Sequence, residues 1–380
     1  MLAPSDAINK AAETDPKYKD WHAKLIHVSG FSNYLDSIIH DYVMPADIVI
    51  VQRNVIVNHV IDAMRYFQGM GKPIAVDLDD AYQILPWSNP AHRFWIRNEG
   101  KFEPSPLAVL ETGLRLSNGL IAPNRLLLQA WSYATKGFYL PNFARSAWWT
   151  DLPEQAELRS EHEFLSSRKD AIVIGWGGSV SHYDSWWGSG LRDAATDIAR
   201  AYPNVIFMLC GNDPRVYEQL PVPSNQKYHQ IGVPPEQWPR IIKLFDIGVA
   251  PLSGIYDQHR SWIKGLEYGL AGIPWVATRG EPYRDLVGFG YQIPNNAEVW
   301  FSILKRTIDN LPAEQERSKS LVPRFRTWLV ENQLDTLGKV YGEIVANYSI
   351  QHGSMPNLIR VNMPIDDFRA LDRRDSVLVL

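Results

Sequence analysis

The chain has 380 residues, 45% of them hydrophobic and 21% charged, with a formal net charge of −4. That length fits two domains of roughly 150 residues each rather than one, and the charge excludes a broad electrostatic footprint for nucleic acid. The single cysteine, Cys210, excludes an internal disulfide and fits a reducing compartment. It closes the apolar run Val205-Ile206-Phe207-Met208-Leu209 and reads as a buried structural thiol. The N-terminus Met1-Leu2-Ala3-Pro4-Ser5-Asp6 lacks the basic patch and apolar core of a secretion signal. No stretch nears the 18 apolar residues of a membrane span, so the expectation is a cytoplasmic protein.

Short β-branched runs alternate with amphipathic stretches, the pattern of helices layered on parallel sheets. In the first half the predicted strands are 25–28, 47–51, 73–77, 119–122 and 138–140, with helices over 56–70, 106–117 and 125–135. Pro106 and Gly119 stand where a helix start and stop should. From 147 to 169 periodicity fades and charge rises (Glu154, Glu157, Arg159, Glu161, Glu163), which reads as a linker. The same pattern then restarts, with strands at 171–175, 205–209, 228–231, 247–251, 275–278 and 291–293. Helices are predicted over 191–202, 235–244, 262–271 and 297–310. Six strands with intervening helices make a complete doubly wound sheet.

The predicted organisation is therefore an acceptor domain over 1–146, the linker 147–169, a nucleotide-sugar domain over 170–312, helices over 313–350 packing back on the first domain, and a tail, 351–380, without an assigned role. Two doubly wound domains in series bind ligands at the carboxyl ends of their strands, across a shared cleft. Functional residues should stand just after strands.

The strongest signal is the strand Asp246-Ile247-Gly248-Val249-Ala250-Pro251, a polar loop, and the helix that opens near Ser261 and closes at Gly272-Ile273-Pro274. Ser261 suits an N-cap, and the glycine and proline stop the helix. A helix N-terminus after a strand attracts phosphate, and Arg260 and Lys264 add positive charge there. Lys264 and Glu267 share a helix face. The cation can hold a diphosphate while the carboxylate accepts from ribose hydroxyls. Read without a ligand, the two form a surface ion pair.

At these residues the chain resembles the retaining GT-B glycosyltransferases, especially those similar to family 4, whose nucleotide-binding half carries Asp-x4-Pro, a loop, then Lys-x-x-Glu and Gly-x-Pro. The resemblance implies an α/β GT-B fold of two Rossmann-like domains with C-terminal helices. It matches Glu267 to the second glutamate of the family's Glu-x7-Glu motif, which holds the ribose, and Lys264 to a cation near the donor phosphates. The first glutamate falls at His259, the position that orients the donor sugar in the family. Base contacts would come from Gln230-Ile231-Gly232-Val233.

A second signal, Gly175-Trp176-Gly177-Gly178-Ser179-Val180-Ser181-His182, follows the first strand of the second domain. Gly177 and Gly178 let backbone approach an anion, and Ser179 and His182 can donate to phosphate; a plain connecting turn is the other reading. The third is Asp77-Leu78-Asp79-Asp80. Such carboxylates face a cleft or solvent, where they could bind a metal, cap a helix or bind acceptor hydroxyls. Asp-x-Asp-Asp resembles a segment of some bacterial and phage GT-B transferases, which places Asp79 and Asp80 with the acceptor. No metal is expected, because Lys264 and helix dipoles can stabilise the leaving diphosphate. Weaker pointers are Arg53-Asn54, Asn124 and Pro141-Asn142-Phe143. Basic and aromatic residues also interleave at Trp87, Arg93, Phe94, Trp95, Arg97 and Lys101, suiting single-stranded nucleic acid or a sugar-binding lid.

The expected activity is transfer of a sugar from a UDP- or GDP-sugar to a hydroxyl, with retention and no further cofactor. Arg260, Lys264, Ser179 and His182 would stabilise the departing diphosphate. The acceptor is open among a glycan, a small molecule and a modified phage DNA base. An epimerase of the same fold would change the nucleotide-sugar without an acceptor; a non-catalytic GT-B scaffold would bind a sugar or a partner protein and no nucleotide.

Overall fold

The computed structural model describes residues 2–53, 55–352 and 376–379. In chain order the strands are β1 Lys24–His27, β2 Val49–Gln52, β3 Ile74–Asp77, β4 Gly119–Ala122, β5 Gly137–Tyr139, β6 Ile172–Gly177, β7 Val205–Cys210, β8 Lys227–Gln230, β9 Ile247–Ala250, β10 Trp275–Thr278, β11 Tyr291–Ile293 and β12 Ser376–Val379. They form two six-stranded sheets, and the chain divides into two compact units. One holds residues 1–83, 93–141 and 333–380; the other holds 84–92 and 142–332.

In the first unit the strand order is β1-β12-β2-β3-β4-β5. β2 to β5 run parallel, in a register that sets Val49 beside Ile74 and Ala75 beside Gly119. Their runs Val49-Ile50-Val51 and Ile74-Ala75-Val76 are buried throughout, as in a parallel sheet covered on both faces. Helix Pro106–Leu116 begins with proline in its first turn, and the Ser105 side chain accepts from Ala108 N–H. Asn124 does the same for helix Arg125–Ala130, accepting from Leu126 and Leu127 N–H, so this pointer is a helix cap. The tail supplies an unforeseen strand. β12 lies between β1 and β2, antiparallel to both, with Val379 opposite Lys24 on one side and Val49 on the other. Residues 353–375 of that tail, and Asn54, lie outside the described residues.

The second sheet is parallel throughout and runs β8-β7-β6-β9-β10-β11. Numbered from β6, this is the 3-2-1-4-5-6 order of the doubly wound dinucleotide-binding fold. Along β7 the side chains alternate between two cores: Val205, Phe207 and Leu209 on one face, Ile206, Met208 and Cys210 on the other. Helix Leu191–Ala201 buries Leu191, Ala194, Ala195, Ile198 and Ala199, a single apolar stripe.

Residues 147–169, expected to be a linker, are part of this unit. Trp149, Leu158 and Leu165 are buried in the core on one face of the sheet. Arg159 pairs with Asp246 at 2.6 Å and donates to the carbonyl of Leu244, at the amino end of β9. The charges that suggested a solvated tether hold the segment down instead. The predicted helix 235–244 shrinks to Trp238–Ile242, because Pro234 and Pro235 bias the chain before it away from helix. At the C-terminus, helix Leu311–Phe325 packs on the second unit's core through Phe325, while helix Leu334–His352 belongs to the first unit.

Candidate functional site

β6 and β9 are neighbours, and the chain leaves them towards opposite sides of the sheet. Such a switch point opens a crevice beyond the strand ends. β6 ends at Gly177 and leads into Gly178–His182. β9 ends at Ala250 and leads through helix Gly254–Gln258 into helix Ile263–Ala271.

Asp257 ties these two connections together. Its carboxylate accepts from Ser185 Oγ at 2.7 Å and from Ser253 N–H at 2.6 Å, and it pairs with Arg260 at 3.0 Å. Both side chains are over nine-tenths buried, at 3% and 8% exposure. Burial raises the pKa of Asp257, opposed by Arg260 and by the hydrogen bonds from Ser185 and Ser253. Arg260 also donates to the carbonyl of Ser181 at 2.9 Å and contacts the ring of His182, 2.8 Å from Nδ1. Lys264 Nζ lies 3.0 Å from His182 Nε2. Burial, and then the charges of Arg260 and Lys264, hold the pKa of His182 far below its ordinary value. A neutral imidazole separates two cations that would otherwise repel directly.

A segment of the first half braces the same loop. Residues 84–92 belong to the second unit. There Ser88 Oγ donates to Asp184 at 2.6 Å, and the Asn89 amide donates to the carbonyl of Ser181 at 3.3 Å. Ser181 O thus receives both Asn89 and Arg260. One turn along helix Ile263–Ala271, Glu267 is half-buried. Burial lifts its pKa to about 7, opposed by the polar indole of Trp238 nearby and by the charge of Lys264. Gly232 N–H donates to Asn212 Oδ1 at 3.2 Å, joining the loops that follow β7 and β8.

Arg260 and Lys264 are thus gathered at the switch point with the buried Asp257 carboxylate and the Glu267 carboxyl nearby. No protein-family model matches the chain, and no curated protein is similar to it in sequence. Solved structures do share its architecture. HepE of Anabaena in complex with UDP-glucose aligns with a TM-score of 0.57 at 16% identity, over 82% of each chain. Sucrose-phosphate synthase from Thermosynechococcus elongatus aligns at 0.56 and 15% identity, over 89% of this chain and 80% of that one. A glycosyltransferase from Rickettsia africae aligns at 0.55 and 14%, over 84% and 82%. The chain has the GT-B fold.

Within that GT-B framework, the second unit brings Arg260, Lys264, His182 and Glu267 to one crevice, with some differences from expectation. The helix begins at Ile263 with Trp262 as its cap, so Ser261 is not the N-cap and Arg260 precedes the first turn. Gly272, at φ 69°, closes the helix in the left-handed region as expected. His182, expected to donate to phosphate, turns its ring nitrogens towards Arg260 and Lys264. Ser179 Oγ lies 2.7 Å from Ser181 Oγ. His259 is turned inward, its Nδ1 2.9 Å from the carbonyl of Ile255, and is 9% exposed. A β-carbon on Gly177 would stand 2.4 Å from the Trp238 ring, and one on Gly178 2.4 Å from the Trp176 ring. Both glycines make room for indoles.

Asp257, Ser185, Asn89 and Trp238 escaped sequence reasoning. For Asp257 a signal existed, since it stands three residues before Arg260 on one helical turn. The others come from distant positions.

In the first unit of the GT-B fold, Asp77 ends β3, and Asp79 and Asp80 follow it. The next element is the three-residue turn Tyr82–Ile84, so they do not cap a regular helix. Burial, then repulsion from Asp80 and Asp77, raises the pKa of Asp79 to about 7, offset by Arg53. Arg53 adopts φ 55° and its N–H donates to the carbonyl of Asp77 at 2.9 Å. Among the described residues no group of three or more His, Cys, Asp or Glu side chains is arranged to hold a metal ion. Nor is any helix long and apolar enough to cross a membrane.

Proposed function

We propose that the chain is a glycosyltransferase that moves a sugar from a nucleoside-diphosphate donor to an acceptor hydroxyl. The observation that carries this reading is the convergence of Arg260 and Lys264 on His182 at the β6–β9 switch point, with Asp257 as the buried counter-charge. A diphosphate there would meet both cations. Charge grows on that diphosphate as the glycosidic bond breaks, and preorganised donors in a partly buried site stabilise it then. Glu267 accepts from the ribose hydroxyls, and the loop around Gly232 contacts the base. The donor is a UDP- or GDP-sugar; HepE, which shares the fold, was captured with UDP-glucose. Asp79 and Asp80 contact the acceptor. The anomeric configuration is retained, with the leaving phosphate helping to deprotonate the acceptor hydroxyl.

The test is titration of UDP and GDP by calorimetry, with nucleotide release from UDP- and GDP-sugars measured in parallel. Lys264→Ala and Arg260→Ala are each expected to weaken nucleotide binding at least ~10-fold, the size of a lost charge-assisted hydrogen bond. Unchanged affinity in both variants would remove the basis of the reading.

A further inference from the structure

The functional residues proposed above follow strands at their carboxyl ends. The first unit also holds a cavity of about 660 Å³ at the opposite ends. Lys24 opens β1, Ile48 immediately precedes β2, and both line the cavity. β1 and β2 run the same way, each antiparallel to β12 between them, so these are amino ends. Asp77, Asp79 and Asp80 lie at or beyond the carboxyl end of β3, which is parallel to β2. The cavity is therefore separate from the acceptor position proposed above.

Helix Leu334–His352 forms one wall through Gly338, Tyr341, Gly342 and Val345, a single face at spacings of three and four. Glycine is costly inside a helix, so two on one face need a reason. At Gly338 the reason is packing. A β-carbon there would stand 2.3 Å from Cη2 of Trp21, whose indole also lines the cavity. At Gly342 packing explains nothing, because a β-carbon would meet no atom within 4 Å. The missing side chain keeps space open in the cavity instead. Ile8, Ile48 and Tyr341 are buried and make its inner surface apolar and aromatic. The volume falls within the range of roughly 300–1,000 Å³ typical of small-molecule sites, which are mainly apolar with a few polar groups.

The rim carries those polar groups. The Lys24 ammonium lies 4.6 Å from the centre of the Tyr42 ring and is engaged by its π face. Asp20 and Asp47 are exposed there and form no ion pair among the described residues. Two carboxylates against one engaged ammonium give the rim a negative balance, with His22 as its other ionisable group. We propose that this cavity is a second ligand site, which takes a small organic cation. A flat ring body sits against Trp21 and the open face at Gly342, and an ammonium head stays at the rim with Asp20 and Asp47. The ammonium is attracted by the carboxylates and by the aromatic walls, whereas an anion of the same shape is repelled. The inference does not depend on the nucleotide reading, which concerns the other sheet.

Tryptamine and indole-3-propionate share an indole and a short chain but carry opposite charges, so they serve as probes. The intact chain, labelled with nitrogen-15, is titrated with each at pH 8, where histidine is ordinarily neutral. Tryptamine is expected to bind with a Kd on the order of 1 mM, as its size allows, and to shift the amide signals of Gly338 and Gly342. It should bind at least ~10-fold more tightly than indole-3-propionate. Gly342→Leu puts a good helix former into the open space and should weaken tryptamine binding at least ~10-fold. Asp20→Asn combined with Asp47→Asn should erase most of the preference between the probes. No saturable binding of tryptamine up to about 10 mM, well above the expected Kd, overturns the site. Binding that Gly342→Leu leaves unchanged overturns its location, and an equal or tighter Kd for indole-3-propionate overturns the cationic class. Should Gly342→Leu melt early, the double asparagine variant decides: an unchanged preference there sinks the proposal.

Discussion

At Glu267 ligand binding and stability pull in opposite directions. Its pKa is held near 7 against an ordinary 4.5, with burial as the main cause. A raised carboxyl pKa means that the folded state holds the proton more tightly than the unfolded state. The contribution of Glu267 is therefore most favourable below about pH 4.5. It declines as pH rises towards 7 and then levels, with a total change of about 3 kcal/mol. Glu267→Gln should melt several degrees higher than wild type at pH 8, a difference that vanishes near pH 4.5. The same variant should bind UDP and GDP ~10-fold more weakly, because a neutral amide is a poorer acceptor for two hydroxyls. Thermal scans at the two pH values and calorimetric titration check both halves; equal melting at pH 8 would contradict the assigned burial. Burial raises the pKa of Asp257 as well, but its removal acts through its partner. Asp257→Ala leaves Arg260 buried without its counter-charge and should cost about 3–5 kcal/mol in denaturant unfolding. A loss below ~1 kcal/mol would mean that Arg260 finds solvent or another partner.

Helix Ile263–Ala271 carries the site because it is pressed against its neighbours through glycines. A β-carbon at Gly269 would lie 2.2 Å from the Phe325 ring on helix Leu311–Phe325. Gly269→Ala gains about 1 kcal/mol in helix propensity but overpacks a filled interface at about 1–3 kcal/mol. A net loss of stability should come with weaker nucleotide binding, since the displaced helix carries Lys264 and Glu267. Gly342 on helix Leu334–His352 is the control: a β-carbon there meets nothing within 4 Å. Gly342→Ala should stabilise by about 0.5–1 kcal/mol without touching nucleotide affinity. The helix of the site was legible in the sequence because Gly272 and Pro274 stop it and a β-branched strand precedes it. Its first residue was not, because Ser261 looks like a cap while the short helix Gly254–Gln258 takes up the preceding loop. The parallel strands of both sheets were legible for the same reason as β9, because buried parallel strands read as continuous β-branched runs, whereas the antiparallel β12 was not. What sequence could not supply was the partner of each polar group. Asn89 and Arg260 meet at one carbonyl from positions 171 apart in the chain. Residues 147–169 misled because Glu154, Glu157 and Glu161 mask the buried Trp149, Leu158 and Leu165.

On the scale of the molecule, the chain spends its two ends on one unit. Residues 333–380 return to the sheet that residues 1–83 began, and β12 takes a place between β1 and β2 where it pairs on both sides. Among the described residues, the cores on both faces of the second sheet draw on nothing beyond Leu329. Truncation after His352 should therefore act on one unit alone. Without β12, β1 and β2 each lose a hydrogen-bonded neighbour and expose unpaired edges, a loss of stability and an invitation to aggregate. The proposed nucleotide site is built on the other sheet. Calorimetric melting of the intact chain is expected to show two transitions, of which UDP or GDP raises one by RT ln(1 + [L]/Kd). In the truncated chain the nucleotide-insensitive transition should fall, while the ligand-sensitive one keeps both its temperature and its response. A truncated chain whose ligand-sensitive transition falls by the same amount would show that β12 stabilises both units together, and that the tail reports on the nucleotide site after all.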